Sequence, residues 1–277
     1  MSLWHPKYHF QAFREIITLL TRHRQLTWEM TKREMRDRYA GQVLGSLWTI
    51  GNPLILLALY TWIFTYVFPS RMQGIQALPL DQPTYILSGL IPWLAFSDSM
   101  AKGSTAITSA ANLVKQVIFP IEILPVKGVL VCFANQLIGI LFLILYVLIS
   151  YHTLFLSYFL LIPLLFVQLL AMIGISYVFS SVGVYFKDLK DFVGIFLTAG
   201  LFLAPILYHP GMVPESVAPL LNLNPFSHMV WCYQDACYFG GFEHPWSWGV
   251  FCCFSLGTFY GGYRIFRKLK IMFGNVL

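Results

Sequence analysis

Six apolar stretches, near residues 47–68, 83–101, 125–150, 157–184, 191–208 and 246–264, dominate this chain. Each approaches or exceeds the roughly 20 residues a helix needs to cross a hydrocarbon core. Hydrophobic residues make up 57% of the sequence and charged residues 11%, whereas soluble domains carry roughly 25% charged residues. A soluble molecule with that balance would expose large apolar patches and associate. The expected fold class is all-α integral membrane, with six transmembrane helices. The third and fourth stretches meet at Tyr151-His152-Thr153 and read as a tight helical hairpin.

Charge placement orients the map. With ends alternating from a cytoplasmic start, the inner segments 1–46, 102–127, 185–190 and 264–277 hold eight, three, two and four Lys/Arg, and only Arg71 falls outside. That asymmetry is the positive-inside pattern, and it puts both termini in the cytoplasm. The formal charge of +6 therefore reads as orientation within a membrane, with no nucleic-acid partner expected. About 45 largely polar residues precede the first apolar run, which is not the pattern of a secretory signal peptide. The expected organisation is a cytoplasmic region 1–46, a membrane domain 47–264 and a cytoplasmic tail 265–277.

Two regions are not simple spans. In 8–25, Phe10, Phe13, Ile17 and Leu20 recur at helical spacing while Arg14, Glu15, Arg22 and Arg24 lie largely elsewhere on the wheel. This is the pattern of an N-terminal amphipathic helix at the membrane interface; a surface helix packed on a soluble partner fits it equally. The segment 209–245 carries Pro210, Pro214, Pro219 and Pro225, then an apolar, aromatic run from Phe226 to Phe239. Those 14 residues would make a helix of about 21 Å, too short to cross. The expectation is re-entrant outer helices between the fifth and sixth spans, shielded by protein or lining water.

Several chemistries are missing. No G-x-x-x-x-G-K-[ST] loop occurs, so ATP hydrolysis by this chain alone is not expected. Neither H-E-x-x-H nor G-x-S-x-G is present. The carboxylates Asp98, Glu122, Asp188 and Asp191 sit near span ends, whereas an ion-coupled carrier keeps an ionisable group near mid-membrane. The five cysteines form no metal-ligand pattern and read as buried small residues. No metal site and no catalytic residue is expected.

Aromatic residues reach 17%. In the first span Trp48, Asn52, Ile55, Leu59, Trp62 and Tyr66 fall on one helical face, and Tyr60 lies within the same span. Such rings offer flat faces along which sugars slide, with polar tips for hydroxyl groups. The competing reading is an interfacial aromatic belt, which leaves the mid-span Trp62 unexplained. Just before this span lie Lys32, Arg33, Arg36 and Arg38. They suit a phosphate or diphosphate headgroup, or they serve orientation alone. Glu34 and Asp37 interleave the cluster and are placed for pairs within the helix. Pro120 and Pro125 flank Glu122, which makes a stiff joint in which Glu122 takes freed backbone donors or pairs with Lys115 or Lys127.

A family resemblance emerges from these residues taken in order. Arg36-Asp37-Arg38-Tyr39, Leu44-Gly45, Leu47-Trp48 and Asn52-Pro53-Leu54 resemble the start of the first span in type 2 ABC exporter permeases. These are the membrane subunits that export O-antigen, capsule or teichoic acid polymers. Asn112-Leu113-Val114-Lys115 and Phe119-Pro120-Ile121-Glu122-Ile123-Leu124-Pro125 are similar to that family's cytoplasmic loop and third-span start. Tyr185-Phe186-Lys187-Asp188-Leu189, Pro205-Ile206-Leu207-Tyr208, Val213-Pro214 and Asn224-Pro225 continue the match. The chain departs from the family in having Lys187 before Asp188 and Gln234 after Tyr233, where the family usually has Arg.

The resemblance implies a homodimer in the bacterial inner membrane, paired with two copies of a separate cytoplasmic ATPase that binds the ATP and magnesium. It implies a lipid-linked polysaccharide cargo, with O-antigen favoured. Arg14, Asn112, Lys115 and Glu122 would couple to the ATPase. Lys32, Arg33, Arg36, Arg38 and Tyr39 would capture the lipid headgroup. Trp48, Asn52, Tyr60, Trp62, Tyr66, Phe192 and Phe196 would line the substrate path. Pro214, Asn224, Pro225 and Tyr233 would form the outer gate. The rival readings are a drug or lipid exporter of the same fold, and an intramembrane enzyme acting on lipid-linked sugars.

Overall fold

The computed structural model describes residues 18, 21–68, 79–116, 119–214, 216 and 218–276. Arg14 and most of the amphipathic segment 8–25 lie outside them. Among the described residues the chain is helical throughout, without strands.

Helix α1, Arg24–Asp37, lies beside the bundle rather than within it. Thr27 and Thr31, one turn apart, are its buried residues. Their hydroxyls donate to the carbonyls of His23 and Thr27, at 3.0 and 2.7 Å, so a small polar face packs without orphaned groups. After a left-handed Gly41 at φ 80°, a short 3-10 turn opens α2, Trp48–Trp62, which runs on as a π-turn to Val67.

Helix α3, Gln82–Thr105, begins at Asp81. That carboxylate accepts from the Thr84 backbone N–H at 3.1 Å and satisfies one of the helix's unpaired donors. The Asp81 backbone N–H donates to Tyr151 Oη at 2.8 Å, which ties this end of α3 to the end of α5, Ile123–Tyr151. Between them lies the short α4, Ala111–Gln116. His152 closes α5 at φ 56°. A 3-10 turn then leads into α6, Leu161–Tyr185, forming the hairpin expected there.

Helix α7, Leu189–Leu203, is shorter than the apolar stretch that reaches 208. Pro205 forces its predecessor out of the helical region, and Ala204 is extended at ψ 149°. The short α8, Ala218–Leu223, and α9, Pro225–Gln234, follow. Asn224 caps α9 by accepting from the Phe226 N–H at 3.1 Å, and Pro225 occupies the first helical turn, where its missing N–H is harmless. A π-turn ends at a left-handed Gly240. Helix α10, Pro245–Leu269, and α11, Phe273–Val276, complete the chain.

Among the described residues, three helical stretches are long and apolar enough to cross a membrane: Gly45–Val67, Ile123–Tyr151 and Leu156–Tyr185. Helices α3 and α10 have 24 and 25 residues, but Asp98 and Lys102 in one, and Arg264, Arg267 and Lys268 in the other, dilute their hydropathy. The 15 residues of α7 give a helix of about 22 Å.

The core is where α3, α5, α6, α9 and α10 meet. Helices α6 and α10 approach most intimately. A Cβ added to Gly262 would stand 2.0 Å from the carbonyl oxygen of Gly174, so both positions must lack a side chain. Helix α9 is buried at every residue from Phe226 to Gln234. Phe226 meets Phe96 at 5.2 Å, Trp93 at 5.5 Å and Phe254 at 5.9 Å, about midway along α3 and α10. From there the chain climbs until the Tyr238 hydroxyl donates to the Leu80 carbonyl, just before α3, at 3.1 Å.

Candidate functional site

A cleft of about 240 Å³ opens between α2, α3 and α5. Arg38 and Tyr39 come to its mouth from the end of α1. Asn52 comes from α2, Asp98 from α3, and Asn135 and Gln136 from α5; Pro53, Leu56, Leu57, Ile91, Leu94, Ala95 and Gly139 complete the wall. Arg38 and Tyr39 of the basic segment and Asn52 of the α2 face, separate in the sequence, therefore share one cavity. The Arg38 guanidinium lies over the Tyr39 ring at 5.4 Å, a cation–π arrangement.

The basic cluster divides. Lys32 bonds Glu29 at 2.7 Å and Arg33 bonds Asp37 at 3.4 Å, both on the exposed side of α1. Arg36 and Arg38 have no ion-pair partner among the described residues, so these two keep their charge available. Glu34 does not pair within its helix. It reaches Lys102 on α3 at 2.8 Å and Lys127 on α5 at 3.2 Å. Burial alone would push its carboxyl up, but the two lysines outweigh burial and hold it below the ordinary value of 4.5. Glu34 is thus a clamp that fixes the basic cluster to the bundle.

Behind the cleft lies a buried polar network. The Gln168 Nε2 on α6 donates to the carbonyl of Pro92 at 3.0 Å. A carbonyl is only an acceptor, so this bond fixes which end of the Gln168 amide points which way. Its Oε1 accepts from Gln136 Nε2 at 2.7 Å and from the Tyr233 hydroxyl. Gln136 Nε2 also donates to Tyr233 Oη at 2.9 Å. Gln136 must therefore turn its nitrogen inward, and its Oε1 has no partner among the described residues. An unsatisfied buried acceptor of this kind costs on the order of 1–3 kcal/mol.

Several expected site residues sit elsewhere than their grouping implied. Tyr233, assigned to the outer gate, is 1% exposed and bonds to the middle of α5 and α6. Asn224 and Pro225 start α9, and Asn224 Nδ2 also holds the Leu203 carbonyl at 3.1 Å; Pro214 is exposed. Among the path residues, Asn52, Trp62 and Tyr66 are exposed on one face of α2, with Trp48 half-buried at its start and Trp62 and Tyr66 at 6.3 Å. Tyr60 turns the other way, stacks on Phe64 at 6.4 Å and packs on the core, because it lies two residues, about 200° of helix, from Trp62. Phe192 is exposed, while Phe196 leans on Phe226 at 5.9 Å.

Asn112 and Lys115 are exposed on α4. Glu122 does not pair with Lys115 or Lys127. It is 4% exposed and takes Lys270 Nζ at 2.5 Å, because Tyr185 Oη holds the Leu269 carbonyl at 3.1 Å and the tail folds against the start of α5. Gln136, Gln168 and Asn135 were not singled out in the sequence. The available signal was an amide or two inside an otherwise apolar run, which in a membrane helix marks a polar contact to a neighbour.

An all-helical bundle with helices of this length and hydropathy is an integral membrane protein. A family model described as ABC-2 type transporter matches residues 25–238, and the chain belongs to that family. It is 27% identical over 249 residues to an O-antigen export system permease protein RfbA of Klebsiella pneumoniae, covering 90% of this chain and 93% of that protein. It is 29% identical over 226 residues to the protein of the same name from Myxococcus xanthus, covering 80% and 84%. The polysialic acid transport protein KpsM of Escherichia coli is 24% identical over 236 residues, covering 85% and 90%.

Proposed function

We propose that this chain is the membrane-spanning permease of an ATP-driven exporter that moves lipid-linked surface polysaccharide, O-antigen in the first instance, out of the cytoplasm across the bacterial inner membrane. The observation that carries this reading is the likeness to O-antigen export permeases over 80–90% of the chain. The geometry agrees with it: one cleft holds Arg38 and Tyr39 together with Asn52 of α2.

In this reading six helices span the membrane with both termini cytoplasmic, and α9 is the re-entrant outer helix. The lipid diphosphate rests on Arg36 and Arg38. Two copies of the chain enclose the polymer path, their open faces being those of α2 and of α7. On α7, Gly194 has nothing within 4 Å of an added Cβ and Phe192 and Ile195 are exposed. A separate cytoplasmic ATPase, also in two copies, docks near α4, and ATP and magnesium belong to it. The likeness to KpsM favours capsule as the second cargo class.

Deletion of the gene tests the reading. Loss of surface polysaccharide, with lipid-linked polymer accumulating inside the cell, is expected. An unchanged surface glycan with altered drug tolerance would replace polysaccharide by a small apolar cargo.

A further inference from the structure

The cleft beside α2 is unlike a phosphate site. Its polar lining holds one cation, Arg38, against the Asp98 carboxylate and the amides of Asn52, Asn135 and Gln136. Deepest among these stands Gln136, 2% exposed, whose Oε1 is left without a partner by the bonds that orient its nitrogen. An acceptor in that state calls for a donor. A diphosphate diester presents only acceptors at neutral pH and would be repelled by Asp98. A sugar presents hydroxyls that donate and accept, and a C–H face that suits the apolar wall of Leu56, Leu57 and Ile91.

We propose that this cleft is a saccharide subsite. A hydroxyl of the first sugar of the cargo donates to Gln136 Oε1, and Asp98, Asn52 and Asn135 take the neighbouring hydroxyls. The diphosphate stays beside Arg38. The assignment rests on the polysaccharide reading above and adds which part of the cargo is recognised, and by which atoms. It also gives the loading step a means of sensing that a glycan is attached, since a bare lipid diphosphate leaves Gln136 Oε1 unsatisfied.

The test uses the full chain in lipid nanodiscs and two probes, undecaprenyl diphosphate and undecaprenyl diphosphate bearing a neutral disaccharide. The sugar-bearing probe is expected to bind at least about tenfold more tightly. Gln136→Leu should erase that advantage, a change of about 1.4 kcal/mol, while leaving affinity for the bare lipid unchanged. Asp98→Ala, at an exposed position where packing is not at stake, should also reduce the advantage. Tyr233→Phe, which alters the network behind the cleft but leaves Gln136 held by Gln168, should keep it. Equal affinity for the two probes, or an advantage that survives Gln136→Leu, overturns the subsite and leaves the export reading standing. Binding of neither probe overturns both.

Discussion

Replacing Tyr233 by Phe removes one oxygen from the centre of the bundle and keeps the ring that packs there. The lost hydroxyl donates to Gln168 Oε1 and accepts from Gln136 Nε2 at 2.9 Å. Gln168 Oε1 keeps its second donor, Gln136 Nε2, at 2.7 Å, so it is not orphaned. One Gln136 N–H is. A typical net hydrogen bond contributes about 1 kcal/mol, and an orphaned buried donor costs about 1–3 kcal/mol. These overlap for the Gln136 bond, so the expected loss is about 2 kcal/mol. That corresponds to roughly a thirtyfold fall in the ratio of folded to unfolded protein. Unfolding by steric trapping in bicelles measures it directly. Gln168→Leu in the Tyr233→Phe background should cost less than in the wild type, with a coupling of about 1 kcal/mol or more. A Tyr233→Phe loss below about 0.5 kcal/mol, with additive double-variant energies, would show that the three side chains do not act together.

The Glu34 clamp predicts a pH dependence for α1. Its carboxyl is depressed in the folded state, so the stabilisation is present above the ordinary value of 4.5 and is lost as pH falls through the depressed value. The protection factors of residues 24–37, corrected for the intrinsic exchange rate at each pH, should therefore fall in acid, and Glu34→Gln should give low protection at neutral pH, a loss of about 2 kcal/mol for a partly buried bridge. The pair Glu122–Lys270 is tested by exchange of its charges. Glu122→Lys or Lys270→Glu alone should lower thermal stability, and the double exchange should recover much of it; no recovery would mean that the 2.5 Å contact contributes no net attraction.

Most of the helices were legible in the sequence because a long apolar run needs no partner to declare itself. The ends were legible where local chemistry sets them, as at Asn224-Pro225 before α9. What the sequence could not display was which faces meet. Glu122 and Lys270 are 148 residues apart, and Glu34 and Lys102 are 68 apart. Helical periodicity describes a residue's own helix and says nothing of a partner so distant, so near neighbours such as Lys127 stood in for the true ones. Tyr233 misled for a related reason. It follows an Asn-Pro pair and precedes the Gly240 turn, which marks a surface loop in most chains, yet the greasy residues around it carry the helix into the interior. The cleft was half visible: Arg38 and Asn52 stood out by type, whereas Asp98 and Gln136 gain their significance only when α3 and α5 are brought side by side.

The meeting of Gly174 and Gly262 has a mechanical consequence. Two helices whose backbones touch have no compressible side chains between them, so they cannot slide or tilt independently without a collision. They travel as one rigid frame, and α9, wedged between α3 and α10, travels with them. Whatever admits a bulky passenger must then yield on the opposite flank. There α1 rests on the bundle through the small face of Thr27 and Thr31 and the Glu34 bridges, and α2 has only Leu57 buried along its length. Loading would be a swing of that flank against a stationary frame.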